Sequence, residues 1–182
     1  MHFSLCNLIA DITQNSVEAK AQKIVIRFIE SKTDLFVRIT DDGEGMSSKK
    51  VQQAQNPFYT NGTKHPKRNI GLGIPFLIQT IEDTNGSWHI ESNETIGTTV
   101  SMHFDLTNID TPPIGDIPEL FRQVFTLPGT YEMIIFRKKI GFAALNYTLI
   151  RSEIIKILGS LETVSNLSLL KQFLVTQEEL DT

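Results

Sequence analysis

A strand that stops on a carboxylate and runs straight into two glycines constrains this chain more than any other stretch. Leu35-Phe36-Val37-Arg38-Ile39-Thr40 has β character and leads into Asp41-Asp42-Gly43-Glu44-Gly45-Met46. A carboxylate at that point can accept a hydrogen bond from an exocyclic amine. Backbone at Gly43 and Gly45 can pass close under a flat ring, where any Cβ would clash. Acidic glycine-rich turns also cap hairpins or hold calcium. A calcium loop needs oxygen ligands at alternate positions and a closing Glu, and Ser47-Ser48-Lys49-Lys50-Val51 does not supply them.

On the N-terminal side of the turn lie a helix and a strand. Leu5, Leu8, Ile9, Ile12, Ser16 and Ala19 keep the three-and-four spacing of a buried helical face within residues 3 to 20. Beside them Asn7, Asp11, Asn15 and Glu18 line up one turn apart. Such a stripe is either the solvated flank of an amphipathic helix or a face turned to a ligand. In the second case the amide oxygen of Asn15 suits a hard cation such as magnesium, and Asp11 can orient or deprotonate a water. Lys23 to Ile29 then reads as a strand joined to Leu35–Thr40 by a hairpin.

On its C-terminal side the chain reads as a capped short helix from Ser47 or Ser48 through Ala54, then an aperiodic stretch from Gln55 to Asn69. That stretch carries Lys64, Lys67 and Arg68, and it suits either a solvated basic loop or a lid that meets phosphates. Gly71-Leu72-Gly73 opens an apolar helix through Ile81, with Pro75 tolerated in its first turn. Free N–H groups at such an entrance favour an anion, while close helix–sheet packing is the plainer use of the same glycines. Asn85-Gly86 reads as a turn, and 87–92 and 98–104 as paired strands, the second opening at Gly97-Thr98.

The bulk properties narrow the class. The net charge of −4 removes a global electrostatic case for nucleic acid. No apolar stretch approaches a membrane span, the N-terminus lacks signal-peptide regions, and the single cysteine, Cys6, sits in an apolar run. A cytoplasmic protein with a buried, inert thiol is expected.

Taken together, Asp11-x-x-x-Asn15, Asp41-x-Gly43-x-Gly45, Gly71-Leu72-Gly73 and Gly97-Thr98 occur in one order over residues 3 to 105. This ordered set resembles the GHKL superfamily of Bergerat-fold ATPases: gyrase, the large heat-shock chaperones, histidine kinases and mismatch-repair MutL. The resemblance implies an α/β (α+β) two-layer sandwich with helices on one face of a mixed, mostly antiparallel sheet. It implies an ATP-binding pocket with ATP and Mg2+ as ligands. Asn15 then matches the magnesium ligand, Asp41 the reader of the adenine amino group, and Gly43, Gly45 and Met46 the floor and side of the pocket. Gly71, Leu72 and Gly73 match the phosphate-side glycines, with Lys64 and Arg68 as lid cations. Thr98 matches the hydroxyl that supports Asp41 through a water. The departure is Asp11, where hydrolysing members usually carry Glu. A carboxylate one methylene short misplaces the base, and small misplacements can cost about a hundredfold in rate. ATP binding is therefore expected before ATP hydrolysis. Gamma-phosphate transfer to a protein, a non-hydrolysing ATP-gated switch and slow hydrolysis with Asp11 as base are the three outcomes weighed. A protein partner and a homodimer are the assemblies the resemblance implies.

From Asp105 the composition changes. Thr111-Pro112-Pro113-Ile114-Gly115-Asp116 is a connector into a helix from Glu119 to Phe125. A hairpin of 131–137 and 141–147 comes next, turning across Lys138-Lys139-Ile140, and then helices at 151–158 and 167–180. Residues 1–106 are expected to form the ATPase domain. Residues 107–182 are expected to form a small α+β extension, too small to bury a large core unaided, that packs on the first or supplies an interface. The extension resembles that of small stand-alone bacterial histidine-kinase-like ATP-binding proteins, which implies a regulatory or assembly role.

Overall fold

The computed structural model describes residues 4–55, 73–141 and 145–179. Its elements run α1 (Leu5–Glu18), β1 (Lys23–Glu30), β2 (Asp34–Asp41), α2 (Ser48–Ala54), α3 (Gly73–Asp83), β3 (Ser87–Asn93) and β4 (Gly97–Asp105). After these come α4 (Ile117–Phe125), β5 (Glu132–Lys139), β6 (Leu145–Ile150), α5 (Arg151–Leu158) and α6 (Val164–Glu179). The strands form one sheet in the order β3-β4-β2-β1-β5-β6. Every neighbouring pair is antiparallel except β1 and β5, which run parallel. The helices lie on one side of it, so the molecule is an α/β sandwich of Bergerat type.

Period-two burial sets the inward face of the sheet. Ile24, Ile26 and Phe28 of β1, Leu35, Val37 and Ile39 of β2, and Met102 and Phe104 of β4 are buried. Against them pack Leu5, Leu8, Ile9 and Ile12 of α1, Leu77 and Ile81 of α3, and Leu120, Phe121 and Val124 of α4. Phe28 and Phe121 meet edge to face at 5.9 Å between ring centroids. Such an aromatic pair is worth about 1 kcal/mol beyond the area it buries.

Besides the packing of α4, the chain beyond residue 106 joins this frame through backbone hydrogen bonds at two places. The N–H groups of Leu5 and Cys6, orphaned at the start of α1, donate to the carbonyls of Pro113 (3.0 Å) and Ile114 (2.9 Å). The proline-rich connector thus caps the first helix together with Ser4, which accepts from the Asn7 N–H. Strand β5 then extends the sheet beside β1, with Ile24 opposite Met133 and Ile26 opposite Ile135. A buried cluster holds α6 down: Arg137 of β5 donates to Glu178 of α6 (2.9 and 3.0 Å) and to Glu30 of β1, and Tyr147 donates to Glu178. Cys6 is buried and its thiol is pushed up to about 12, first by desolvation, which makes it inert at neutral pH.

Two local expectations are corrected. The β5–β6 connection does not turn across Lys138-Lys139-Ile140. Strand β5 continues through Lys139, and Gly141, expected to start a strand, lies outside it at φ +110°. Helix α6 begins at Val164, three residues before the apolar pattern suggests, because Thr163 supplies a hydroxyl that accepts from the Asn166 N–H at 3.2 Å.

Candidate functional site

Asp41 is the last residue of β2 and falls on the inward side of the alternation, below the helices, where it is only 7% exposed. A carboxylate there needs donors, and the structure supplies three. Oδ2 accepts from Ser16 Oγ of α1 at 2.6 Å. Oδ1 accepts from the Gly43 N–H at 3.0 Å and the Thr98 N–H at 3.2 Å. The carboxylate is thereby held by the first helix, by its own turn and by the last strand of the expected pocket.

The glycine turn is tied at both ends. Asp42 Oδ1 accepts from the N–H groups of Gln22 (2.8 Å) and Lys23 (2.7 Å), and the Glu44 N–H donates to the Ala19 carbonyl (2.8 Å). On the other side the Met46 N–H donates to Ser92 Oγ (2.8 Å), and Ser92 Oγ shares a hydrogen bond with Thr98 Oγ1 (2.8 Å). Both glycines are required by packing as well as by any ring that lies on them. A Cβ at Gly43 would stand 2.8 Å from the Ala19 carbonyl oxygen. At Gly45, where φ is +60°, it would stand 2.0 Å from the Asn93 carbonyl oxygen. Met46 is half-buried against the core.

Asp11 and Asn15 are exposed on α1, one turn apart on the flank that also carries Asn7 and Glu18. The entrance of α3 lies beside them: the place of a Gly73 side chain is bounded by Asp11 Cβ (3.4 Å) and Asn15 Nδ2 (3.9 Å). Asp11 stays accessible, yet partial burial of its carboxyl raises its pKa above the ordinary aspartate value. Of the expected site residues the structure therefore gathers Asp11, Asn15 and Gly73 at one place and Asp41, Gly43, Gly45, Met46 and Thr98 at another, with α1 as the shared wall. Lys64, Arg68, Gly71 and Leu72 lie outside the described residues.

The donor set suits ATP and Mg2+. An oriented, buried carboxylate at the end of a strand accepts from an amine. A lone amide oxygen on an exposed helix face suits Mg2+, which keeps several waters and takes its remaining ligands from phosphates. Among the described residues no group of three or more His, Cys, Asp or Glu is placed to hold a metal on its own.

Two residues of this site are not evident in the sequence. Ser16 sits where the helical spacing asks for a core residue, and Ser92 where alternation asks for nothing. Their partners, Asp41 and Met46, are 25 and 46 residues away, so local pattern gives no sign of either.

Thr98 reaches Asp41 directly through its backbone N–H, while its hydroxyl is engaged by Ser92. This web of α1, the β2 turn and β4 around one carboxylate is the arrangement against which relatives can be compared. The family model described as Histidine kinase-, DNA gyrase B-, and HSP90-like ATPase matches residues 3–108, more than half of the chain. The chain belongs to this ATPase family. Similar proteins include Sporulation kinase C of Bacillus subtilis (strain 168), 30% identical over 84 residues, which are 45% of this chain and 19% of that protein. Sensor histidine kinase YvrG of the same strain is 24% identical over 99 residues, 54% of this chain and 17% of that protein. Cell-division control histidine kinase PdhS of Brucella ovis is 31% identical over 119 residues, 58% of this chain and 12% of that protein. This histidine kinase-, gyrase- and HSP90-like chain thus spans less than a fifth of the length of these relatives. Among the described residues no helix is long and apolar enough to cross a membrane.

Proposed function

We propose that this chain binds Mg-ATP between the sheet and the helices and acts in regulation through a protein partner, with γ-phosphate transfer as its enzymatic outcome. Family membership supports the nucleotide class. The observation that carries the rest is the buried carboxylate of Asp41, held by three donors from three elements. In this reading Asp41 accepts from the adenine amino group, and Gly43, Gly45 and Met46 frame the base. Asn15 supplies an oxygen to Mg2+, and Gly71, Leu72 and Gly73 with Lys64 and Arg68 meet the phosphates. Bound Mg2+ neutralises charge on the transferring phosphate. The chain's own part is to hold the base at the end of β2 and the metal on α1, the helix whose Ser16 also fixes Asp41.

The amine is the distinguishing group, because guanine offers a carbonyl where adenine offers the amine. A site built on one acceptor rejects a ligand that brings a second acceptor, by about a hundredfold or more. Titration of the protein with ATP–Mg and with GTP–Mg tests this. Equal affinity for the two would remove Asp41 as the reader of the base.

A second reading, slow hydrolysis with Asp11 as base, is favoured by two facts: the raised pKa of Asp11 and its position beside the α3 entrance. It requires that Asp11→Asn bind ATP normally and lose phosphate release. Undiminished release in that variant excludes Asp11 from the chemistry.

A further inference from the structure

The face of the sheet away from the helices carries an unusual pair. Arg27 and Arg38 stand directly opposite each other on β1 and β2, the central antiparallel strands, and both are exposed. Like charges in register on neighbouring strands destabilise a sheet. Among the described residues neither guanidinium has a carboxylate partner. Arg27 lies 4.6 Å from the centre of the Phe136 ring, and among the described residues Arg38 has no such ring beneath it. The other like-charge pair in register, Asp34 opposite Asp105, is answered locally. His103 bonds Asp34 at 2.7 Å, and the Thr107 N–H and hydroxyl bond Asp105 at 2.8 and 2.6 Å. The sheet therefore compensates one such pair and leaves the arginines uncompensated.

The rows on either side each hold an apolar pair among polar side chains, with Thr40 and Thr99 in one row and His103 and Lys138 in the other. Phe36, 48% exposed and stacked on His103 at 4.4 Å, is opposite Ile29; Val25 is opposite Ile134 of β5, next along from Phe136. The row from Ser101 through Arg38 and Arg27 to Phe136 crosses three strand gaps, about 14 Å at ~4.8 Å each. An extended segment of four or five residues covers that distance at about 3.3 Å per residue. Guanidinium groups are weakly hydrated forks that match carboxylates and stack on flat groups. The chain's net charge of −4 and the acidic end of the face at Asp34 and Asp105 disfavour a long polyanion. A second copy docked about a two-fold axis through the pair would set arginine against arginine.

We infer that this open sheet face is a docking surface for a short acidic segment of a partner protein, whose carboxylates pair with Arg27 and Arg38 while an apolar side chain covers Phe36 or Phe136. The surface is separate from the nucleotide site, so its test does not depend on ATP.

The probe is a fluorescein-labelled peptide of about ten residues repeating Glu-Ser-Glu-Ser-Leu, which sets Glu, Glu and Leu on one face of an extended segment, read by anisotropy against the full chain. Controls are the same peptide with Gln for Glu and a labelled oligothymidylate of equal length. The expected result is binding of the Glu peptide that weakens roughly tenfold or more in Arg27→Gln/Arg38→Gln and on raising salt. The Gln peptide should stay unbound by the wild type, and ATP titration should be unchanged in the double variant. That variant relieves a repulsion and gives up the contact of Arg27 with Phe136, so its melting temperature should stay near that of the wild type, which separates lost docking from lost fold. Equal affinity of wild type and double variant for the Glu peptide overturns the inference. So does tighter binding of the oligothymidylate, or self-association of the wild type that the double variant abolishes.

Discussion

Ser16→Ala is the substitution whose consequence the structure defines most fully. Ser16 and Asp41 are 4% and 7% exposed, and their oxygens are 2.6 Å apart. Alanine removes one oxygen and leaves almost no cavity, so the packing contribution is small. What is lost is a hydrogen bond to a buried charge, about 1.5–3 kcal/mol. Asp41 keeps its two backbone donors on Oδ1, which favours the middle of that range, about 2 kcal/mol. For a chain of this size each kcal/mol moves Tm by about 2–4 °C, hence about 4–8 °C in all. Urea unfolding monitored by the emission of Trp88, the single tryptophan, measures it. The source can be separated with a double-mutant cycle. In an Asp41→Asn background the hydroxyl faces a neutral amide, so Ser16→Ala should cost about 1 kcal/mol less there. Because the hydroxyl also fixes Oδ2, ATP should bind about tenfold more weakly to Ser16→Ala. A loss below about 0.5 kcal/mol with no coupling to position 41 would refute the role given to Ser16.

Other outcomes are equally specific. Gly45→Ala places a Cβ 2.0 Å from the Asn93 carbonyl at a φ of +60°, and should destabilise by about 2 kcal/mol or more in urea. Arg137→Met leaves Glu30 and Glu178, 13% and 15% exposed, without their shared cation. A loss of about 3–5 kcal/mol is expected, and Glu178→Leu in the same chain should recover part of it. Glu119 is held down to about 2 by its hydrogen bonds from Arg122, and further by Lys171. Its folded pKa lies below the unfolded one, so its contribution is present above about pH 4.5 and lost as pH falls toward 2. Glu119→Gln should flatten the acid limb of a stability–pH curve in that window.

Local pattern carries much of this fold. The three-and-four spacing of α1 and the period-two alternation of β1, β2 and β4 are set by burial on one side, which sequence displays directly. The two element ends that depart from that pattern do so for identifiable reasons. Val164-Ser165-Asn166 has weak helix propensity, but the Asn166 amide bonds the Leu158 and Ser160 carbonyls at 3.0 Å and fixes the first turn of α6. Lys138 and Lys139 look like turn residues, yet their backbone pairs with Asn146 and Leu145. The parallel pairing of β5 with β1 joins segments about a hundred residues apart, and no local signal specifies it. The same holds for Arg137: alternation puts position 137 on the buried face, and only the fold brings Glu178 to it. At the site, Asp41 and its glycines are legible because their chemistry is local. Ser16 and Ser92 are not, because each acts on a residue far along the chain.

The most direct test of the central claim is calorimetric titration of the wild type and of Asp41→Asn with ATP–Mg. Asparagine keeps an oxygen for the Gly43 and Thr98 N–H groups and turns its amide nitrogen toward Ser16, whose hydroxyl can rotate to accept. The variant should therefore fold, as near-wild-type urea unfolding would verify, but it presents a donor where adenine also presents one. The account predicts ATP binding by the wild type and a loss of about a hundredfold or more in the variant. Equal ATP affinity in the two folded proteins, or no binding by the wild type, would contradict it.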